Sequence, residues 1–226
     1  EANQRIDEIR DRGRCPIIVG GSTLYIHALQ YGLADVPDVS DTVRARIENR
    51  LAHEGAEALY AELQTVDPQQ AKSMDPTKTQ RLVRALEVYH GTGRPLSYYY
   101  ENQPAPPFTY RTVVLHRDRQ RLYDRIERRV DRMLETGLLD EVTELLERGV
   151  DPSRQPLRTI GYREPIQYLQ GNIHYDEMVR LIKRNSRRYA KRQLTWFRRY
   201  DEYTWLSIDH LDLEDTISAL YEALIE

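Results

Sequence analysis

The residues best suited to bind an anion lie in three separate segments of the chain. Gly20, Gly21 and Ser22 follow a short apolar run, and a glycine turn at a helix start lets a phosphate approach backbone N–H groups. Arg129 falls in the middle of the apolar stripe that Leu122, Ile126 and Met133 form in the helical segment "RLYDRIERRVDRM". An arginine on an apolar stripe needs a partner or an escape to water. Both features indicate a bound phosphate. The alternative for the glycine turn is a plain serine-capped turn, and the alternative for Arg129 is a buried ion pair or a snorkelling side chain.

The third segment is the stretch "KRNSRRYAKRQLTWFRRY" (183–200), which holds eight cations and no acid although the chain has a net charge of -3. On a helical wheel, five cations of this region fall within an arc of roughly 60°. They are Arg180, Arg184, Arg187, Lys191 and Arg198. The apolar residues fall opposite, so they are predicted to face the core. Five aligned cations without interleaved acids favour contact with a nucleic-acid backbone, and an ordinary solvated face is the alternative.

Two further segments give weaker signals of polar contact. In "TQRLVRALEVY" (79–89), Gln80, Arg81 and Arg84 project away from the apolar face. In "LRTIGYRE" (157–164), Gly161 permits an unusual backbone angle between two arginines. A solvated helix face is the favoured explanation for the first segment, and a plain turn is the alternative to a polar contact loop for the second. The chain contains no P-loop, dinucleotide-binding or zinc-binding motif, and its six histidines have no ligand spacing.

The composition is that of a globular protein with a substantial core. The chain has 226 residues, 40% hydrophobic and 31% charged, enough for one domain with an insert or for two small domains. No apolar run reaches the roughly 20 residues that span a bilayer, and no signal-peptide pattern opens the chain. The single cysteine, Cys15, cannot form an internal disulfide. We therefore expect a cytoplasmic protein without a membrane partner.

The elements that must position these residues are read from apolar periodicity and from Gly, Pro and Ser boundaries. "CPIIVGG" (15–21) predicts a buried parallel strand, followed by a helix from Ser22 to Gly32. Residues 35–107 predict a helical insert that returns through a proline-rich linker, "SYYYENQPAPPF". The remainder predicts strands at "YRTVVLHR" and "YTWLSID", with helices between and after them. The fold class is therefore α/β, with residues 1–34 and 108–226 as the core.

Six motifs in fixed order carry a resemblance that covers essentially the whole chain. They are "PIIVGGSTLYIHAL", "VRARIE", "DPTKTQRLVRALEVY", "LYDRIERRVDRML", "RTIGYRE" and "YAKRQLTWFRR". In these the chain resembles the bacterial-type tRNA dimethylallyltransferases, also called tRNA isopentenyltransferases. The resemblance implies a P-loop-kinase-like parallel sheet core, related to nucleotide-binding proteins, with an inserted all-helical domain that grips the tRNA anticodon stem-loop.

The resemblance also implies a reaction. A dimethylallyl group passes from dimethylallyl diphosphate to the exocyclic amine (N6) of the adenosine on the 3′ side of the anticodon. That base must be flipped out of its stack, because the amine is otherwise shielded. A monomeric enzyme that uses Mg²⁺ is expected.

Motif matching carries the family's roles to particular residues. Arg129 matches the arginine that holds the diphosphate, and Ser22 stands where the family usually has threonine, so both are expected to be catalytic. Ser22 and two matched segments are expected to contact tRNA, and Arg187 and Lys191 join them from the basic stripe. The matched tRNA-binding residues are Arg44, Gln80, Arg81, Leu82, Val83, Arg84, Arg158, Thr159, Ile160, Gly161, Tyr162 and Arg163.

The sequence departs from the family's pattern in one large respect. The family's P-loop, its Mg²⁺ contact and the aspartate expected to act as base precede the first motif and have no counterpart here. We therefore expect a chain that lacks its N-terminal segment, docks tRNA and does not catalyse transfer alone. The zinc-finger extension of some eukaryotic relatives is also not seen. The alternatives are a non-catalytic RNA-binding protein of the same ancestry and a purely structural helical partner protein.

Overall fold

The structure is a computed structural model that describes residues 1–225. Eleven α-helices and two β-strands make up this part of the chain. The first six helices are α1 (Ala2–Asp11), α2 (Thr23–Tyr31), α3 (Asp41–Val66), α4 (Pro68–Ser73), α5 (Thr79–Thr92) and α6 (Leu96–Glu101). They are followed by β1 (Val113–His116), α7 (Arg119–Glu135), α8 (Leu138–Glu147), α9 (Arg163–Leu169), α10 (Tyr175–Phe197), β2 (Thr204–Ser207) and α11 (Leu213–Ile225).

Side-chain caps and glycines set most of the helix boundaries. Asp118 caps α7 by accepting hydrogen bonds from the backbone N–H groups of residues 120 and 121. Asp67 caps α4 in the same way, and Pro68 occupies the first turn, where a missing N–H costs nothing. Gly93 ends α5 in the left-handed conformation, and Gly55 (φ +83°) kinks α3.

The chain divides into two compact units. The first comprises Glu1–Gly20 and Leu24–Thr109, and the second comprises Gly21–Thr23 and Tyr110–Glu226. The predicted core and insert were divided at residues 34 and 108 instead, so the structure groups α1 and α2 with the helical segments. The predicted roles of core and insert stay predictions.

The first unit is helical, and its core lies mainly between α3 and α5. Ile47, Leu59 and Leu63 of α3 are fully buried, as are Leu82 and Leu86 of α5. Tyr60 of α3 packs against this core and also links it to α4. Its hydroxyl donates a hydrogen bond to the carbonyl oxygen of Ala71 at 2.9 Å. Burial of these apolar side chains is the main driving force that holds the helices together.

The second unit contains both strands. β1 and β2 pair in parallel with Val113 opposite Thr204, and the chain between them supplies α7 to α10. The core of this unit is formed by Val130 of α7, Val142 of α8 and Met178 and Ile182 of α10. A parallel pair joined through helices confirms the predicted α/β class.

Two predicted elements are wrong. Residues 15–21 do not form a strand, and Val19 is 92% exposed. A strand needs a partner for its backbone hydrogen bonds, and in residues 1–225 β1 and β2 pair only with each other. Part of the predicted proline-rich linker is helical, because α6 runs over Leu96–Glu101 before the prolines begin. In the described part of the chain, no helix is both long and apolar enough to cross a membrane.

Candidate functional site

In the second unit, Gly21 packs against α10. The side-chain Nε2 of Gln193 donates a hydrogen bond to the Gly21 carbonyl oxygen at 2.5 Å. A Cβ atom on Gly21 would lie 2.5 Å from the same nitrogen, so a larger residue would displace Gln193. Ser22 follows, half-buried, and α2 begins directly after it at Thr23. The predicted helix start is therefore confirmed.

Arg129 does not lie on the buried face of α7, which corrects the prediction. Its side chain is exposed and forms no ion pair with any residue in the described range. The buried residue is Val130, one position along and about 100° around the helix, with Met133 and Leu134 packed beside it. The prediction placed the stripe through Leu122, Ile126 and Met133 alone, and so put its centre too close to Arg129. An unpaired guanidinium in water remains free to bind an anion.

The cationic stripe of α10 is partly neutralised by neighbouring acids. Arg187 forms an ion pair with Glu127 of α7 and lies 6.0 Å from the ring centroid of Tyr123. Lys183, which lies on α10 outside the five-residue stripe, forms an ion pair with Asp131 of α7 at 2.6 Å. Because these acids come from another helix, the stripe's own sequence gives no sign of them. No acid interleaves with these cations in the sequence, as expected, but Glu127 of the neighbouring helix neutralises Arg187.

The rest of the stripe differs from residue to residue. Arg180 pairs with Glu177 within α10 at 2.5 Å, and Arg198 lies over the Trp205 ring at 5.7 Å from its centroid. Lys191 is exposed and pairs with no acid among residues 1–225. Within the described residues, Lys191 is therefore exposed and without an acidic partner, so its ammonium group can bind a phosphate.

The segment from Arg158 to Arg163 is held by the buried carboxylate of Glu164. Its Oε2 accepts a hydrogen bond from the Gly161 N–H at 2.9 Å, and its Oε1 accepts from Asn185 of α10 at 2.7 Å. Arg163 also donates to Oε1 at 2.8 Å. Gly161 has φ +94°, a conformation that side chains other than glycine rarely adopt. The turn is thereby fixed against α10.

The environment of this turn shifts two pKa values. Burial raises the pKa of Glu164, but the hydrogen bonds from Gly161, Asn185 and Arg163 outweigh it, so the pKa is lowered overall. The Tyr162 hydroxyl donates a hydrogen bond to Glu141 of α8, which raises the pKa of Tyr162. Arg158 and Thr159 are exposed, Ile160 is half-buried, and the backbone of Gly161 is buried. The segment therefore presents its two arginines and Thr159 to solvent.

In the first unit, two predicted RNA-contacting arginines meet at one buried acid. Glu87 of α5 forms ion pairs with Arg84 of the same helix and with Arg44 of α3, the latter at 3.3 Å. The two arginines are 41% and 56% exposed, whereas Glu87 is 2% exposed. Residues from "VRARIE" and "TQRLVRALEVY" are thus brought together, and the Nε atom of Arg44 also lies 3.9 Å from Oε1 of Glu48.

The other predicted contacts in α5 separate into surface and core. Gln80 and Arg81 are exposed at its first turn. Leu82 and Val83 are buried in the core of the first unit. Their side chains therefore do not reach a macromolecular partner, which corrects the prediction for these two residues.

Sequence reasoning missed the residues that hold the site in place. Glu87, Glu164 and Gln193 each contact a predicted site residue, and none was singled out. The available signal was an acid in or beside an otherwise apolar run: Glu87 lies between Leu86 and Val88, and Glu164 precedes Pro165. Such a residue costs free energy unless it is paired, so a partner could have been sought.

Comparison with known proteins gives one consistent result. A family model described as IPP transferase matches residues 1–200. The tRNA dimethylallyltransferase of Salinibacter ruber is 66% identical over 99% of this chain and 69% of its own length. The tRNA dimethylallyltransferase 1 of Pelobacter propionicus is 48% identical over 91% of this chain and 67% of its own.

Solved structures agree with the sequence relatives. The full-length tRNA isopentenylpyrophosphate transferase of Bacillus halodurans superposes with a TM-score of 0.64 at 38% identity, covering 98% of this chain and 69% of the other. A eukaryotic dimethylallyltransferase acting on tRNA gives a TM-score of 0.75 at 25% identity, covering 98% of this chain and 58% of the other. These neighbours confirm the predicted P-loop-like fold class.

Proposed function

This chain belongs to the IPP transferase family of tRNA dimethylallyltransferases, and from that premise we propose how its residues divide the work of tRNA prenylation. The reaction joins the dimethylallyl group of dimethylallyl diphosphate to N6 of the adenosine on the 3′ side of the anticodon. The identity of 66% to a tRNA dimethylallyltransferase over nearly the whole chain carries this conclusion.

The chemistry is a substitution at an allylic carbon. The amine nitrogen forms a bond to that carbon, the bond to the diphosphate oxygen breaks, and the nitrogen loses one proton to a base. Negative charge grows on the departing diphosphate, so a guanidinium placed beside it stabilises the transition state more than the ground state. We assign no base to residues 1–225, because the motif that would supply it has no match in this chain.

Within the second unit, Arg129 receives the diphosphate. Its exposure and its freedom from ion pairs in the described range leave all of its N–H donors available for phosphate oxygens. Ser22 contributes a hydroxyl beside the reacting groups, on a turn that Gln193 holds to α10. Lys191 and the arginines at 158 and 163 contact the tRNA backbone.

Within the first unit, the exposed arginines grip the anticodon stem-loop. Arg44 and Arg84 extend from α3 and α5 toward solvent on either side of Glu87. Gln80 and Arg81 add polar groups at the start of α5. Contacts of this kind to phosphate position an RNA without reading its sequence.

The proposal extends to a cofactor, a partner and a compartment. Mg²⁺ bound to the diphosphate would neutralise part of its charge. The residues that the structure describes contain no cluster of three or more acidic, histidine or cysteine side chains that could hold a metal ion, so we assign no metal ligand here and route no step through the ion. The protein works as a monomer in the cytoplasm.

The proposal is tested in the organism that carries the gene. Deletion of the gene should remove dimethylallyladenosine and its derivatives from hydrolysed tRNA, as measured by mass spectrometry. The complete wild-type gene should restore the modification, whereas the Arg129→Ala variant should not. Unchanged tRNA modification after deletion would contradict the proposed function and would favour the non-catalytic RNA-binding alternative.

A further inference from the structure

Glu87 stands out among the buried side chains of the first unit. It is 2% exposed, and its neighbours Leu86 and Val88 are fully buried. Its Oε1 faces Arg84. Its Oε2 accepts no hydrogen bond from any residue in the described range and faces Nε of Arg44 at 3.3 Å. Both carboxylate oxygens are therefore turned toward arginines that the sequence connects with tRNA.

Stability alone gives a weak account of this arrangement. Removing a carboxylate from water is costly, and an ion pair regains that cost only in part. An apolar residue of similar volume at a buried position is often as stable or more stable. The carboxylate does confer one property that an apolar residue could not, because it fixes two guanidinium groups from different helices beside each other.

Fixing these groups favours RNA binding for two reasons. A free arginine side chain loses rotamer entropy when it is immobilised, and a side chain already held in place loses less on binding. A guanidinium also has five N–H donors; Arg84 uses only part of this set on Glu87, and Arg44 faces Glu87 through Nε without a hydrogen bond. The remaining donors belong to groups that are 56% exposed in Arg44 and 41% exposed in Arg84.

We infer that Glu87 is a positioning residue for tRNA recognition, which holds Arg44 and Arg84 ready to bind the phosphate backbone of the anticodon stem-loop. The inference rests on the proposed function, since it assigns the RNA contacts to these arginines. It adds that a residue with no access to RNA controls the affinity for RNA through them.

The test is a double-mutant cycle on the complete gene product. We compare wild type, Glu87→Gln, the double variant Arg44→Ala/Arg84→Ala and the triple variant that combines them. The readout is the Kd for an unmodified anticodon stem-loop, with kcat for dimethylallyl transfer measured on the same samples. Glu87→Gln should raise Kd about tenfold, as expected for loss of roughly 1.4 kcal/mol of binding, and leave kcat at saturating tRNA unchanged. In the triple variant the same substitution should have almost no further effect.

A structural role would give a different pattern. If Glu87→Gln raised Kd equally with and without the two arginines, or left Kd unchanged, the inference would be overturned. If Glu87→Gln fails to fold, Arg44→Lys serves instead, because it keeps the charge but loses the Nε that faces Glu87; a wild-type Kd for Arg44→Lys would then overturn the inference.

Failure of the proposed function is recognised separately. A wild-type protein that binds the stem-loop without transferring the dimethylallyl group contradicts the enzymatic proposal alone, and the Kd cycle still decides the role of Glu87. A wild-type protein that does not bind the stem-loop contradicts both.

Discussion

The Nε atom of Arg44 on α3 lies 3.3 Å from the Oε2 atom of Glu87 on α5. This contact joins two sequence motifs at a buried acid that also binds Arg84. The surface of the first unit thus carries two neighbouring guanidinium groups that are both paired with Glu87 and both partly exposed.

Substitution of Arg44 should weaken RNA binding in a salt-dependent way. We expect Arg44→Ala to raise the Kd for the anticodon stem-loop, and to reduce the dependence of log K on log salt by about one, because one phosphate contact is lost. Filter binding over a range of salt concentrations measures both quantities. Arg46→Ala is the matched control, since Arg46 is also exposed on α3. Equal losses in the two variants would show that only total charge matters.

Substitution of Arg129 should act on catalysis. We expect Arg129→Ala to lower kcat on the order of 10²-fold, the effect typical of removing one group that stabilises developing negative charge. The Kd for tRNA should remain that of the wild type. Arg132→Ala, an exposed arginine of the same helix, is the control and should keep its activity. A large loss of tRNA affinity at normal kcat would refute the assignment.

The cations of α10 should differ in their importance for RNA binding. Lys191 pairs with no acid among residues 1–225, whereas Lys183 is paired with Asp131. We expect Lys191→Ala to weaken binding and to flatten its salt dependence. The double variant Lys183→Ala/Asp131→Ala removes a neutralised pair and should leave both quantities nearly unchanged. If Lys191→Ala binds with the wild-type salt dependence, the stripe does not meet phosphate. For Arg187→Ala, we expect an unchanged salt dependence only if the ion pair with Glu127 keeps Arg187 away from the RNA.

Glu164 should make the free energy of unfolding depend on pH. Its pKa is lowered below the usual 4.5, so the ionised form stabilises the native state above about pH 4.5. This contribution is lost as the pH falls through the native pKa. We expect Glu164→Gln to be less stable than wild type at neutral pH and to lose less stability on acidification. Urea unfolding at several pH values measures this.

The control for this pH prediction is Glu144→Gln, which removes an exposed carboxylate that pairs with Arg148 on the surface of α8. Surface pairs contribute little to stability. Parallel stability curves for wild type and Glu164→Gln would contradict the role given to the buried carboxylate.

Helices were predicted well from the sequence because their boundary signals are local. Gly32 and Gly93 follow the last turns of α2 and α5, and Pro68 stands at the start of α4. The apolar positions of α5 also identified its buried face. These features depend only on residues within a few positions of each other, which a sequence displays directly.

Features that depend on distant residues were predicted poorly. The apolar run before Gly20 has strand composition but no pairing partner in residues 1–225. The acids that neutralise Arg187 and Lys183 belong to α7. The ion pair between Arg44 and Glu87 forms only because α3 and α5 pack together. The buried face of α7 was misplaced because Val130 was left out of the apolar stripe. Tertiary packing decides each of these points.

The most direct measurement is the incorporation of label into RNA when the complete product of this gene is incubated with unmodified tRNA, Mg²⁺ and radiolabelled dimethylallyl diphosphate. The account predicts label in the RNA, located at the adenosine on the 3′ side of the anticodon, and loss of this label with Arg129→Ala. Intact tRNA binding without any incorporation would contradict it, and would leave a protein that holds the anticodon arm without modifying it.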